Sequence, residues 1–236
     1  MLAELISQRQ PCVVLTGAGA STESGIPDFR SASGIWAQYD PTEVASIDAF
    51  RRDPAKVWEF YARRLDVLGR AEPNAAHRAL AALEAKGLVD AIVTQNVDGL
   101  HQCAGSQDVV EVHGSIRLAT CPSCAHSMPA DELELPLPRC PTCGCVVKPA
   151  VVMFGELLPA AALERATELA RGAALLLVVG SSLEVWPVAG LPQETLMHGG
   201  GLAIVNHDLT PYDGQALLVA RASAGEVLAA VIRRLA

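Results

Sequence analysis

Four cysteines in two closely spaced pairs are the first residues whose spacing indicates chemistry. Cys121 and Cys124 form one CxxC pair, Cys140 and Cys143 form a second, and fifteen residues separate the two pairs. Four thiolates at this spacing can close a tetrahedral zinc site that leaves no position for water, so the metal would stabilise the fold rather than catalyse. Two redox-active pairs or two disulfides are the alternative, and doubled redox motifs at this spacing are rare.

Three further cysteines lie outside these pairs. Cys145 is close enough in sequence to replace Cys143 as a ligand, but the shared Cys-Pro-x-Cys form of both pairs favours Cys143. Cys12 and Cys103 are expected to be ordinary core thiols. The segment 117–148 around the pairs shows no hydrophobic periodicity, so it is expected to be held by the metal rather than by an apolar core.

A glycine-rich segment indicates nucleotide binding. The run from Cys12 to Ser21 begins as a buried strand and breaks at Gly17 and Gly19, as at a phosphate-binding turn. It lacks the third glycine of the dinucleotide fingerprint, so a purely structural turn is the alternative. Residues 24–30 end in an acid, an aromatic and an arginine where an ordinary fingerprint continues its helix, which indicates a mobile loop over the ligand.

Polar residues follow two other predicted strands. Asn96 ends the strand-like run LVDAIVTQN and Asp98 follows it, and an amide and a carboxylate on one loop can bind the donor and the acceptor of a carboxamide. A loop or turn role is the alternative. His113 lies at the end of the alternating run VVEVHG, beside Gly114. A lone histidine there is ordinarily a core or capping residue.

Six sets of residues together resemble the motifs of the sirtuin family, in the family's order. They are TGAGASTESGIPDFR (16–30), TQNVDGLH (94–101), VHG (112–114), the two CxxC pairs, VVMFGE (151–156) and GSSLEV (180–185). Their joint occurrence, from about Cys12 to Asn206, carries the resemblance. It implies one catalytic domain over 1–236 that uses NAD to remove acyl groups from protein lysines, with a helical module over 31–72 and a zinc module over 117–148.

The resemblance also implies roles for the matching residues. His113 would be the general base, and Asn96 and Asp98 would belong to the same catalytic group. The acyl oxygen would displace nicotinamide from NAD, and His113 would then take a proton from a ribose hydroxyl, giving nicotinamide, 2′-O-acyl-ADP-ribose and free lysine. The residues expected to contact NAD are Gly17, Ala18, Gly19, Ala20, Ser21, Asp28, Phe29, Arg30, Trp36, Gln95, Asn96, Val97, Asp98, Gly180, Ser181, Ser182, Asn206 and Ala224.

The resemblance assigns VVMFGE to the substrate peptide. This segment would pair by its backbone with the peptide as an added strand, with Val151, Met153 and Phe154 as contacts, and would lie opposite the zinc module. Met153 stands where a tryptophan is expected of the family, and Lys148 stands where an arginine is expected.

Tyr61 and Arg64 have the tyrosine-x-x-arginine spacing of class III sirtuins, which accept succinyl- and malonyl-lysine. Residues three apart share a helix face. A guanidinium pairs bidentately with a carboxylate and a phenol adds a hydrogen bond, so removal of acidic acyl groups, together with acetyl, is predicted. The alternatives are a plain lysine deacetylase, in which Tyr61 packs and Arg64 is solvated, a mono-ADP-ribosyltransferase, and a non-catalytic zinc-ribbon binding module.

The elements that must position these residues are those of an α/β protein. Strand-like and helical runs alternate, and the strand-like runs end in polar loops, as in a Rossmann-like parallel sheet, whose ligands bind at the carboxyl ends of the strands. The remaining predicted strands are 174–182 and 201–206, and the predicted helices are about 53–69, 73–86 and 222–235.

Composition excludes several other classes. Half of the 236 residues are hydrophobic and 19% are charged, which suits one folded domain. The net charge of −8, without long runs of like charge, disfavours nucleic-acid binding. The start MLAELISQRQ lacks a signal-peptide core and no stretch approaches the roughly 20 apolar residues of a membrane span, so a cytoplasmic location is expected. A monomer is compatible with the sequence, although no motif sets the oligomeric state.

Overall fold

The structure is a computed structural model that describes residues 1–235. Six parallel strands form the main sheet, in the order β3-β2-β1-β7-β8-β9, and the other three form a small antiparallel sheet, in the order β5-β4-β6. The strands are β1 (Cys12–Thr16), β2 (Ala91–Thr94), β3 (Val109–Glu111), β4 (Gly114–Thr120), β5 (Ser127–Pro129), β6 (Lys148–Val151), β7 (Leu175–Val179), β8 (Gly201–Val205) and β9 (Leu218–Ala220).

Helices cover both faces of the main sheet. The α-helices are α1 (Leu2–Gln8), α2 (Pro41–Val44), α3 (Ile47–Arg52), α4 (Pro54–Arg70), α5 (Ala75–Ala85), α6 (Leu100–Cys103), α7 (Ala160–Gly172), α8 (Leu191–Met197) and α9 (Ala224–Leu235). Helices α1, α5 and α9 pack on one face and α7 and α8 on the other. β1, β7 and β8 are therefore buried on both sides, which explains their unbroken apolar runs.

Side-chain caps set the helix starts near the site. The Asp53 carboxylate accepts a hydrogen bond from the backbone N–H of Lys56 at 3.1 Å, so α4 begins at Pro54, as the sequence predicts. The helix predicted from Pro73 begins two residues later, because the Asn74 side chain caps it by accepting from the Ala76 N–H at 2.8 Å.

The residues of the predicted zinc segment do have an apolar core. Helices α3 and α4 and the small sheet pack into one cluster, here called the shared core, and the Trp58 indole N–H donates to the Val147 carbonyl at 2.7 Å within it. Cys121 and Cys140 are buried in the same cluster. The expectation that metal alone would hold segment 117–148 is therefore wrong, because apolar residues of this segment pack against helices α3 and α4.

Strand β4 connects the two ends of the small sheet. Gly114 pairs with Val151 at one end and Thr120 pairs with Lys148 at the other, directly before the zinc-segment residue Cys121. Seven residues of strand span about 20 Å. The VVMFGE segment and the cysteine pairs thus lie at opposite ends of one sheet. No helix within residues 1–235 is both long enough and apolar enough to cross a membrane.

Candidate active site

Two glycine turns meet at the carboxyl ends of β1 and β7. The Gly17 N–H donates to the Val179 carbonyl at 3.1 Å, and the Gly19 N–H donates to the Gly180 carbonyl at 2.9 Å. A Cβ on Gly180, whose φ is +62°, would lie 2.2 Å from the backbone nitrogen of Ala20. Only glycine permits this approach, so the predicted phosphate-binding turn and the turn at Gly180 form one surface.

A buried hydrogen-bond network joins the first glycine turn to the loop after β2. The Ser21 hydroxyl donates to Asp98 Oδ2 at 2.8 Å and accepts from the Asn96 side-chain amide at 3.0 Å. The same amide donates to the Gly17 carbonyl at 3.1 Å. The structure thus brings together three residues predicted for NAD contact, from the loops that follow two different strands.

His77 is a member of this network that sequence reasoning missed. Its Nδ1 accepts from the Asn74 backbone N–H at 3.2 Å, so the ring proton lies on Nε2, 3.4 Å from Ser21 Oγ. Burial lowers the pKa of His77, which keeps the ring neutral. Its only sequence signal is a position three residues after a helix cap, which indicates a capping box rather than a site.

His101 has a structural role beneath the network. Its Nε2 lies 3.0 Å from the Thr16 hydroxyl, which donates to Thr94 at 2.7 Å, so it ties α6 to β1 and β2. Burial lowers the pKa of His101 to about 3, and the ring is therefore neutral near pH 7. His101 orders the loop that carries Asp98.

His113 lies between the two sheets. Its Nδ1–H donates to the backbone carbonyl of Gln95 at 3.1 Å, which leaves Nε2 free to accept a proton. Burial lowers the pKa of His113, and its bond to Gln95 opposes that shift. Next to it, Gly114 has a φ of +76°, and a Cβ there would lie 2.1 Å from the Ala150 carbonyl oxygen. The glycine is required for the close pairing of β4 with β6.

Gln95 and the turn after β7 connect this histidine to the nucleotide surface. The Gln95 side-chain amide donates to Ser181 Oγ at 2.9 Å. Two residues further on, Leu183 is buried with a φ of +56°, a conformation that L-residues rarely adopt. Backbone strain of this kind persists where the surrounding structure imposes it, and it clusters at functional sites. Ser182, between them, is half-buried.

The loop over residues 28–36 is ordered by its own turn. Asp28 Oδ1 accepts from the backbone N–H groups of Arg30 at 3.0 Å and Ser31 at 2.9 Å. The Phe29 and Trp36 ring centroids are 5.2 Å apart, and Arg30 Nε lies 3.5 Å from a Glu184 carboxylate oxygen. The Asp28 carboxylate therefore supports the loop in this conformation.

The Tyr61 and Arg64 side chains lie near one another and near Asp98. Burial raises the pKa of the Tyr61 phenol, with Arg64 opposing the shift, so the phenol is neutral. Burial lowers the pKa of Arg64, while Tyr61 and Asp98 favour its charged form. Within residues 1–235 no carboxylate lies within 4 Å of the Arg64 guanidinium, which is half-buried rather than solvated.

The VVMFGE segment is bonded on two sides. The Val152 N–H donates to the His113 carbonyl at 2.9 Å, and the Phe154 N–H donates to the Ala45 carbonyl at 2.9 Å. Met153 is only 2% exposed in the shared core, and Val151 is also buried, whereas Phe154 is 48% exposed. The Phe154 side chain is therefore open to a peptide, and the Met153 side chain fills the core.

Lys148 and Glu156 shape the same segment. Glu156 Oε2 accepts from the Met153 N–H at 2.8 Å and from Lys148 Nζ at 3.0 Å. Lys148 Nζ also donates to the Val151 carbonyl at 2.6 Å. The lysine thus serves as a backbone brace at the position where an arginine is expected of the family.

Two further residues predicted to contact NAD, Asn206 and Ala224, lie at the margin of the surface formed by the two glycine turns. The Asn206 side chain, just after β8, donates to the Asp208 carbonyl at 3.0 Å. Ala224 is buried at the start of α9, and the next N–H, that of Gly225, donates to Glu23 at 2.7 Å. Helix α9 thereby reaches the segment that follows the first glycine turn. Ala18 is half-buried, as is Val97, whose carbonyl accepts from the Ile116 N–H at 3.0 Å.

The four predicted zinc ligands converge at the far end of the small sheet. All Sγ atoms of Cys121, Cys124, Cys140 and Cys143 lie within 4.8 Å of one another, and two of the pairs are 3.5 and 3.6 Å apart. Zinc–sulfur bonds of about 2.3 Å in a tetrahedron place the sulfurs about 3.8 Å apart. The cluster therefore fits a structural zinc ion.

The remaining cysteines lie elsewhere. Cys145 is exposed and outside the cluster, and Cys12 is buried in β1. Cys103 is exposed, and its sulfur accepts from Arg117 Nη2 at 2.6 Å. The expectation that Cys103 packs in the core is wrong, because it falls on the last, solvent-facing residue of the short helix α6.

Residues 17–187, which contain both glycine turns, His113 and the cysteine cluster, match the model of the Sir2 family. The chain belongs to this family. The resemblance to sirtuins drawn from the sequence is confirmed.

Curated Sir2-family relatives match almost the whole chain. It is 43% identical over 234 residues to the NAD-dependent protein deacylase 1 of Archaeoglobus fulgidus, which covers 98% of this chain and 96% of the relative. It is 45% identical over 237 residues to the NAD-dependent protein deacetylase of Caldivirga maquilingensis, with 98% and 91% covered.

Solved Sir2 structures have the same fold. A Sir2 homologue in complex with NAD is 42% identical with a TM-score of 0.94, covering 99% of this chain and 92% of that one. A Sir2 protein bound to a propionylated peptide is 39% identical with a TM-score of 0.90, covering 99% and 96%. The predicted α/β fold with a Rossmann-like parallel sheet is thus confirmed for this Sir2-family chain.

Proposed function

We propose that this chain is an NAD-dependent protein-lysine deacylase with His113 as its general base. One observation carries the proposal. The Nδ1–H of His113 donates to Gln95, which turns a neutral Nε2 outward beside the buried Ser21, Asn96 and Asp98 network. The names of the relatives, protein deacylase and protein deacetylase, support the same activity.

The residues around His113 suit NAD as co-substrate. NAD would supply an electrophilic ribose carbon and the nicotinamide leaving group. Within residues 1–235, the backbone N–H groups of Ala18, Ser181 and Ser182 and the hydroxyls of Ser181 and Ser182 donate to no protein acceptor, so they can donate to the diphosphate without added charge. The side-chain oxygens of Asn96 and Asp98 can accept from the carboxamide. His113 Nε2 would take the proton of a ribose hydroxyl, and its lowered pKa keeps it unprotonated near pH 7.

The substrate peptide would bind as a strand between two exposed aromatic side chains. Phe154 is 48% exposed on one side of the site, and Trp186 is 71% exposed beyond the turn after β7. Across residues 1–235, the backbone N–H groups of 184–186 have no hydrogen-bond partner. Unpaired backbone groups of this kind accept an added strand with little dependence on the peptide's side chains.

The acyl group would be succinyl or malonyl as well as acetyl. Arg64 is half-buried and has no carboxylate partner within residues 1–235. A positive charge that is partly removed from water without a counter-charge is stabilised by an acidic ligand. The buried, neutral Tyr61 phenol lies on the same face of α4 and can donate to the same carboxylate.

The test compares acetyl-, malonyl- and succinyl-lysine peptides of one sequence, with NAD and nicotinamide release as the readout. Formation of 2′-O-acyl-ADP-ribose and free lysine is expected with all three. Arg64→Met should lower succinyl turnover at least about tenfold while acetyl turnover changes little, because a charged hydrogen bond contributes roughly 1.5–3 kcal/mol.

Arg63→Met is the matched control, since Arg63 is exposed and pairs with Glu59. Equal loss of both activities in Arg64→Met would contradict the acidic-acyl assignment. Nicotinamide release without deacylated peptide would instead favour ADP-ribosyl transfer.

A further inference from the structure

The guanidinium group of Arg64 lies over the ring of Phe29. The Arg64 Cζ is 5.2 Å from the centroid of that ring, within the range of a cation–π contact. Phe29 belongs to the loop over residues 28–36, whereas Arg64 belongs to helix α4. A side chain of the loop over residues 28–36 therefore contacts the arginine that is proposed to bind the acyl carboxylate.

This contact leaves the arginine's donors available. A guanidinium is planar, and its five N–H donors all point outward from its edge. A cation–π contact restricts rotation of a long side chain, yet it provides no hydrogen-bond acceptor in the ring plane and so leaves the N–H groups available. Among residues 1–235, the Arg64 guanidinium has no carboxylate within 4 Å.

Packing fixes the Phe29 ring in turn. Its centroid lies 5.2 Å from that of Trp36, and the Phe29 carbonyl accepts from the Trp36 N–H at 3.0 Å. Trp36 is itself stacked on Phe60 of α4, with centroids 6.3 Å apart. The ring that Arg64 contacts is thus attached to the same helix that carries Arg64.

We propose that Phe29 is a selectivity-determining residue for acidic acyl groups. Its ring contacts the Arg64 guanidinium and restricts its movement, so that the N–H donors are already positioned when the acyl carboxylate arrives. This inference rests on the proposed function, in which Arg64 binds that carboxylate. Phe29 acts through Arg64 and is a positioning residue for this purpose, in addition to any contact with NAD.

A double-mutant cycle tests the role. The readout is the ratio of kcat/KM for succinyl-lysine peptide to kcat/KM for acetyl-lysine peptide, because a general loss of NAD binding cancels in this ratio. Phe29→Leu, which keeps an apolar side chain and removes the π face, should lower the ratio about fivefold. Phe29→Tyr, which keeps the face, should hold it within about twofold.

The arginine background supplies the decisive control. In Arg64→Met, adding Phe29→Leu should leave the ratio unchanged, since two residues that act as a unit are not additive. Should Phe29→Leu abolish turnover, the Kd for the succinyl-lysine peptide divided by the Kd for the acetyl-lysine peptide, measured by calorimetry, should rise about fivefold.

Four results would overturn the inference. Phe29→Leu could lower both activities in equal proportion, or lower the ratio equally with and without Arg64. The wild-type protein could also turn over acetyl but not succinyl peptide, which would leave the deacylase intact. Absence of nicotinamide release from any peptide would overturn the inference and the proposed function together.

Discussion

The Nδ1 of His113 lies 3.1 Å from the backbone carbonyl oxygen of Gln95. A carbonyl can only accept, so this contact sets the tautomer of the ring and leaves the lone pair of Nε2 outward. The Gln95 side chain extends from the same residue to Ser181. One residue thus orients the proposed base and also touches the second glycine turn.

Replacement of this base should remove most of the activity. His113→Ala is expected to lower acyl-peptide-dependent nicotinamide release by about 100-fold or more, the typical contribution of a general base. His198→Ala is the matched control, because His198 is exposed and remote from the site. Undiminished turnover in His113→Ala would exclude the proposed mechanism.

The activity should depend on pH through the same ring. His113 must be neutral to accept a proton, so kcat/KM should rise with pH through its pKa and then level off. Burial lowers that pKa below the ordinary value of about 6.5, so at pH 6.5 more than half of the plateau activity is expected. Initial rates between pH 5 and 8 give the midpoint. A midpoint above 6.5 would contradict the buried, neutral base.

Ser21 should matter for activity and for stability. Ser21→Ala removes the hydroxyl that donates to Asp98 and accepts from Asn96, which leaves a buried carboxylate short of one donor. A loss of about 1–3 kcal/mol in the free energy of unfolding is expected, with a clear rise in KM for NAD. Urea titration and initial rates measure the two effects.

The control for Ser21 is its neighbour. Thr22→Ala removes an exposed hydroxyl that donates to the Gly19 carbonyl at 3.0 Å, and a change within about 0.5 kcal/mol is expected. Equal effects of the two substitutions would contradict the assigned network.

Zinc should be needed for the fold. One zinc ion per chain is expected by elemental analysis, and chelation should lower the melting temperature and the activity together. Cys121→Ser should remove the zinc, whereas Cys145→Ser should retain it, because Cys145 lies outside the cluster. A chain that keeps full stability without zinc would contradict the structural role.

Residues that act through local pattern could be predicted from the sequence. The apolar runs of β1, β7 and β8 and the cap at Asp53 follow from neighbours within a few positions. The cysteine spacing alone selected the four sulfurs that converge. These features depend only on residues that are close together in the sequence, so they could be predicted from it.

Contacts between distant segments could not be predicted in this way. The small sheet was not predicted because β4 and β6 are separated by the cysteine segment, β4 does not alternate cleanly, and β6 has only four residues. His77 reaches Ser21 only because α5 packs beside the first glycine turn. Met153 matched a motif for substrate contact, yet packing buries its side chain. These contacts form when distant segments of the chain pack together, and patterns of neighbouring residues do not indicate them.

His113 also connects the two sheets by hydrogen bonds. Its ring is bonded to Gln95 at the end of β2, while its carbonyl accepts from Val152 at the end of β6. The main sheet and the small sheet cannot draw apart here without breaking one of these two bonds. The orientation of the proposed base is therefore coupled mechanically to the relative position of the two sheets.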